Sequence, residues 1–251
     1  MNEILSRRRP AVLPSNAPRL AARLRWRDIA LACLYSIAGS SAFAQTPPEH
    51  AKTRGNLMVV VRESIGSNKA DETLRSSGKM RAKLADGREV ALETASWEFI
   101  GDTHIRFVFD GAQSMINALP SDLVELGVAN VDDALAVAIA NVERVYGEPV
   151  ASPWTAGIME VSGQSPDFDS SYFLDRKFWR KLSERHPEGV VVVVPKRGGL
   201  LYVPASDKRA VEALQKNIAQ LYASSGTARV SSAIFLFKND KWSVFQAPTS
   251  R

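Results

Sequence analysis

Residues Val190 to Pro204 read VVVVVPKRGGLLYVP, two apolar runs hinged on Pro195, Lys196, Arg197, Gly198 and Gly199. A basic hinge with glycines after a β-branched run could cradle an anion, since cations and exposed backbone amides can converge there. A phosphate loop of that kind passes into a helix whose first amides face the ligand. Here Leu200 to Val203 continues as a second strand, so the pattern predicts a hairpin turn in which glycine supplies positive φ. Such a turn binds an anion only if further cations reach it. Arg176, Lys177, Arg180, Lys181 and Arg185 cluster on the preceding helical segment, with Trp179 among them. Lys196 and Arg197, joined by Arg176 and Arg180, are therefore the candidate anion-binding residues. The competing reading is a solvated helix face, diluted by Asp175, Glu184 and Glu188.

Other chemistries find less support. The three histidines, His50, His104 and His186, have no metal-ligand spacing, and no metal or cofactor is expected. No GxSxG elbow is present for a serine nucleophile. Asp167-Phe168-Asp169-Ser170-Ser171 has the DxDxS form, but SGQSP precedes it where an aspartyl-phosphate enzyme needs an apolar strand. A calcium loop would need glycine and glutamate where Tyr172 and Phe178 stand. The run reads as a polar turn leading into a strand. Asp132 and Asp133 sit in a first helical turn, where the helix dipole favours carboxylates.

The N-terminal residues have the layout of a secretory signal peptide. Four arginines lie between Arg19 and Arg27, Ile29 to Ala38 is apolar, and Ala42-Phe43-Ala44 precedes Gln45 as a small-x-small cleavage site. The apolar run is about half the roughly 20 residues a spanning helix requires. Ser6-Arg7-Arg8-Arg9 as a twin-arginine signal and Cys33 as a lipid-attachment site are the weaker alternatives. Cleavage between Ala44 and Gln45 would give a periplasmic or secreted protein. It would also remove seven arginines against Glu3 and Asp28, which accounts for the whole-chain charge of +5. The remainder is near neutral, which argues against nucleic acid as a partner. Cys33, the only cysteine, leaves with the same segment, so no disulfide or thiolate site is expected.

The expected organisation is signal peptide 1–44, flexible lead-in 45–55, an α+β half 56–147, a connection 148–166 and a second half 167–247. Leu57 to Val61 predicts the first strand, and a short helix is expected around Asp71 to Arg75. Asp86-Gly87 and Asp110-Gly111 each predict a hairpin. Ser121 is the expected cap of a short helix ended by Gly127. Asn130 caps a longer one with Val131, Leu135, Ile139, Val142 and Tyr146 inward. In the second half the order is a strand at Ser171 to Leu174, a helix at Arg176 to Arg185, the paired strands of the opening segment, a helix at Asp207 to Ser224 and a hairpin at Asn239-Asp240. The class is α+β, built from antiparallel hairpins with packed helices. The second half is expected as a ferredoxin-like β-α-β-β-α-β unit plus an extra strand.

The runs FDGAQSMINALPSDLVELGVANVDDALAVAIANV, DSSYFLDRKFWRKL and VVVVVPKRGGLLYV give the chain a resemblance to the YtpQ-like family, over roughly residues 79–245. That family is of unknown function, so the resemblance implies no reaction, cofactor or catalytic residue. The expected function is a non-catalytic binding or scaffolding module for a protein or an anionic small molecule. The alternative is an envelope or extracellular hydrolase whose catalytic set has no sequence signature. Two converging carboxylates in a pocket would favour the hydrolase.

Overall fold

Leu57–Glu63 (β1) is a run of β-branched and apolar residues, and it pairs antiparallel with Thr103–Asp110 (β6), Val59 standing opposite Phe107. The computed structural model describes residues 51–83, 86–128 and 130–249. The expected signal peptide lies outside the described residues, as do residues 45–50 of the lead-in. Arg75–Ser76 (β2), Ser96–Glu98 (β5) and Met115–Asn117 (β7) complete the first sheet, with β1 at its edge. Lys79–Lys83 (β3) and Glu89–Glu93 (β4) form the expected Asp-Gly hairpin as a separate two-stranded ribbon. No helix forms at Asp71 to Arg75. Asp71 Oδ1 instead accepts from Thr73 N at 2.9 Å, a local turn that competes with helix.

The second sheet has six antiparallel strands: Val150–Thr155 (β8), Ile158–Ser162 (β9), Val190–Lys196 (β10), Gly199–Pro204 (β11), Ile234–Lys238 (β12) and Lys241–Gln246 (β13). Their spatial order is β13-β12-β10-β11-β9-β8. The span expected as a connection thus contains a hairpin, β8–β9, on one edge of this sheet. The α+β class holds, but the ferredoxin-like order does not. In that topology the last strand pairs with the first, whereas β12 here pairs with β10. A split unit does occur: β11 and β12 flank β10 and are joined by Lys208–Ser224 (α4).

β10 is covered on both sides, which explains a strand with no polar alternation. Val191 and Val193 pack with Leu201, Val203 and Ile234 against Val211, Leu214 and Ile218 of α4. Val190, Val192 and Val194 face the main core with Tyr202, Phe235, Phe237 and Trp242. That core also contains Leu57, Val59, Phe107 and Phe109 of the first sheet, so both expected halves contribute to it.

Between the sheets lies Asp169–Leu174, a 3-10 helix whose every residue is buried. This corrects the expectation of a polar turn followed by a strand. The segment covers the open edge of β1, where unpaired carbonyls need donors. Ser171 Oγ donates to Val59 O at 2.7 Å, and Asn141 Nδ2 donates to Leu57 O at 2.9 Å. Arg62 Nη1 turns back onto Val61 O at 2.8 Å. Three alternate carbonyls of β1 are thereby satisfied by side chains rather than by a further strand.

Asn141 belongs to Val131–Tyr146 (α2), whose cap Asn130 accepts from Asp133 N at 2.9 Å as expected. Val142 of the expected face is buried, and Val131, Leu135, Ile139 and Tyr146 pack half-buried against the core, but the other fully buried positions are the small Ala134 and Ala138 and the polar Asn141. Small side chains let the helix approach β1 closely enough for the amide contact. Pro120–Glu125 (α1) is capped at Leu119, two residues before the expected Ser121, and Asp122 closes its first turn by accepting from Leu119 N at 2.8 Å.

A candidate binding cavity along helix α3

Arg176–Ser183 (α3) is held by Asp175, whose Oδ1 accepts from Phe178 N at 3.1 Å. Trp179 is its anchor: the ring is fully buried and its Nε1 donates to Tyr172 O at 2.8 Å. The ring also packs edge-on to Trp242 and Tyr202, with centroids 5.3 and 6.0 Å apart. With that side of the helix inward, the basic residues fall into two stripes at four-residue spacing.

The first stripe, Arg176 and Arg180, is committed to acidic partners. Arg180 makes a two-pronged contact to Asp240, Nε to Oδ1 at 2.8 Å and Nη2 to Oδ2 at 2.9 Å. Arg176 pairs with Glu72, donates to Asp240 O at 2.7 Å and lies 5.7 Å from the centre of the Phe237 ring. Glu72 Oε2 in turn accepts from Trp242 N at 3.0 Å, so these two cations fasten the helix to the β12–β13 turn. That turn uses Asn239 and Asp240 at φ 52° and 60°.

The second stripe, Lys177 and Lys181, together with Arg185 from the turn after the helix, lines a cavity of about 440 Å³ between α2, α3, β8, β9 and β11. Phe178, Leu182, Met159, Val150 and Pro149 give it an apolar wall. Tyr202 faces it from β11, its phenol pushed above the usual value by burial against the opposing charge of Arg185. Lys177 is engaged by Glu148 at 3.2 Å and Glu143 at 3.9 Å.

Two carboxyl groups meet in the same cavity. Glu143 is held above its usual range by burial first, then by a hydrogen bond to Asp175 and the charge there. Asp175 is 2% exposed, and its Oδ2 has no conventional donor. A proton on Glu143 would supply one.

The candidates Lys196 and Arg197 lie at the far end of β10 from α3. About six residues of strand, on the order of 20 Å, separate Val190, which pairs with Phe237, from Lys196. The four residues proposed as one anion surface are thus divided between two places. The hairpin reading of the turn is right, although its glycines are not there for positive φ. A Cβ on Gly198 would lie 2.9 Å from Pro166 Cβ, and one on Gly199 would lie 2.7 Å from Lys196 Cγ. Close approach to Pro166, not backbone handedness, requires Gly198, while at Gly199 the neighbour is the flexible Lys196 side chain, which can move aside.

The cavity residues missed by the sequence reading include Glu143, Tyr202 and Met159, which come from three separate elements. Lys181 and Arg185 had a legible signal, since Lys177, Lys181 and Arg185 are spaced i, i+4, i+8. Among the described residues no group of three or more His, Cys, Asp or Glu side chains is placed to hold a metal ion. No helix among them is long and apolar enough to cross a membrane. Comparison with protein-family models, curated proteins and solved structures found no match to the chain.

Proposed function

We propose that the protein is a non-catalytic binding module, exported to the periplasm or beyond, that takes an amphipathic organic anion into the cavity along α3. The observation that carries this reading is the pairing of a cationic stripe with an apolar wall in one recess. Ligand sites combine a mostly apolar lining with a few placed polar groups. Lys181 and Arg185 would receive the anionic head, with the Tyr202 hydroxyl beside them. Phe178, Leu182 and Met159 would cover the hydrocarbon. Export rests on the N-terminal layout, and the YtpQ-like resemblance adds no chemistry to this assignment.

The test is calorimetric titration with decanoate and, as the uncharged control, decanol. Decanoate is expected to bind, decanol to bind more weakly, and the Lys181→Ala/Arg185→Ala double variant to lose about tenfold or more in affinity. Equal binding of acid and alcohol, or an unaffected double variant, would remove the basis for the reading.

A second reading, an acid-assisted hydrolase, is favoured by the meeting of Glu143 and Asp175 in the cavity, where burial raises the Glu143 carboxyl above its usual value. A carboxyl that holds its proton more tightly than usual is suited to act as a general acid. Glu143→Gln separates the two. Glutamine can still donate to Asp175 and would preserve binding, but it cannot transfer a proton and would abolish turnover on ester, amide or glycoside substrates.

A further inference from the structure

The cavity along α3 has two electrostatic poles. At the start of the helix Glu143, Glu148 and Asp175 all line it, and Glu143 is hydrogen-bonded to Asp175. The cation at that end is Lys177, which is engaged by Glu148 at 3.2 Å and lies 3.9 Å from Glu143. Its side chain is 71% exposed and that of Glu148 76%, so this ion pair sits at the rim. Lys181 and Arg185 line the other end, and no ion pair among the described residues takes up either of them. Phe178 and Leu182 stand between the two poles along the helix.

At the acidic pole one acceptor is left over. Asp175 gives Oδ1 to Phe178 N, while its buried Oδ2 has no partner. A buried acceptor without a donor carries its full desolvation cost. A proton on Glu143 would cover that oxygen alone. A primary ammonium brings three donors and can serve Asp175 and Glu143 together, in charge-assisted bonds about twice as strong as neutral ones. It would also relieve what holds Glu143 above its usual value, which is burial first and then the neighbouring Asp175. From Asp175 to Lys181 the chain advances about 9 Å along the helix axis, and Arg185 lies further on.

We propose that the ligand of this cavity is a zwitterion whose primary ammonium is held by Asp175 and Glu143 and whose carboxylate is held by Lys181 and Arg185, the two charges joined by about 10 Å of apolar chain. The inference rests on the α3 cavity being the binding site and adds a second charge to the anion assigned to it. An α-amino acid carries both charges on one carbon and cannot reach both poles. Two kinds of molecule have the required chemistry: an ω-amino fatty acid, and a short apolar peptide with free termini, three extended residues of which span about 10 Å.

Calorimetric titration of the full chain at pH 7.5 compares 10-aminodecanoate and the peptide Leu-Leu-Leu with decanoate, and leucine serves as the closely spaced control. 10-Aminodecanoate is expected to bind about tenfold or more tightly than decanoate, and leucine not measurably. The peptide distinguishes the sources: affinity equal to that of 10-aminodecanoate identifies the charge spacing alone, tighter binding a site that also reads backbone amides, and weaker binding one that takes an unbroken hydrocarbon. Asp175→Asn keeps an oxygen to cap the helix and puts an amide donor where Oδ2 stands, so it should bring the affinities for 10-aminodecanoate and decanoate together. If Asp175→Asn proves poorly folded, Glu143→Gln, whose amide would occupy the same oxygen, should narrow the ratio in the same direction. If neither zwitterion exceeds decanoate, the inference falls and the anion site stands; a ratio unchanged in the folded variants also overturns it, and no binding of any of these ligands overturns both.

Discussion

Ser171 donates its hydroxyl to the carbonyl of Val59 at 2.7 Å, so a residue of the buried 3-10 helix closes an edge strand more than a hundred positions earlier in the chain. An edge carbonyl facing a protein interior must find a donor or carry its desolvation cost. Ser170, its neighbour, is equally buried, yet its Oγ has no partner. The two serines are therefore expected to respond oppositely to alanine. Ser171→Ala should lose about 1–3 kcal/mol, while Ser170→Ala should be neutral or slightly stabilising. Urea denaturation of both variants tests the pair, and equal losses would contradict the assignment.

Gly198→Ala is expected to destabilise by about 1–3 kcal/mol. The added Cβ would meet Pro166 Cβ at 2.9 Å and Pro166 O at 3.0 Å, neither being the end of a flexible side chain. Pro166→Gly, by removing that Cβ, should partly rescue it. A double-mutant cycle in urea measures that coupling.

The two stripes of α3 should separate stability from binding. Arg176→Ala breaks the contacts to Glu72, Asp240 and Phe237 and is expected to lower the Tm with decanoate affinity unchanged. Lys181→Ala should do the reverse. If both variants change affinity alike, the cavity is not the site.

Stability should carry two opposed dependences on pH. Glu143 is held above its usual value of 4.5, so the native protein keeps a proton that the unfolded chain has already released. This contribution is present below 4.5 and is lost as pH rises through the raised native value. His104 has the opposite sign. Its native value is lowered to about 4 from 6.5, so the unfolded chain protonates first and stability is lost as pH falls from 6.5 towards 4. Partial exposure reduces that loss to about 2 kcal/mol. Urea midpoints measured across pH should show a flatter high-pH arm in Glu143→Gln and a flatter acid arm in His104→Gln.

Strands and helices with strong local patterns were legible from sequence: β1, the Asp-Gly hairpins, α2 and α4 all stand near their expected positions. The failures share a cause. Asp169–Leu174 looks polar in sequence, yet it is buried: Ser171 donates to Val59 O, more than a hundred positions away, and Asp169 accepts from the backbone N of Gly163. No local period can signal that. The pairing of β12 with β10 is likewise long-range, and helix and strand counts alone are compatible with more than one strand order. Within the candidate site, the basic residues were visible, but their division depended on which side of α3 Trp179 buries. The acidic partners Glu72 and Asp240, which take up Arg176 and Arg180, lie on distant segments.

One apolar core containing both Leu57 and Trp242 makes folding a late event. The first sheet cannot bury its inner surface until β12 and β13, near the end of the chain, have joined it. Contacts of such long sequence separation slow folding, because loop closure must precede them. A polypeptide of this design stays open to pulling and threading until residues as late as Trp242 reach the core, and only then acquires its locked form.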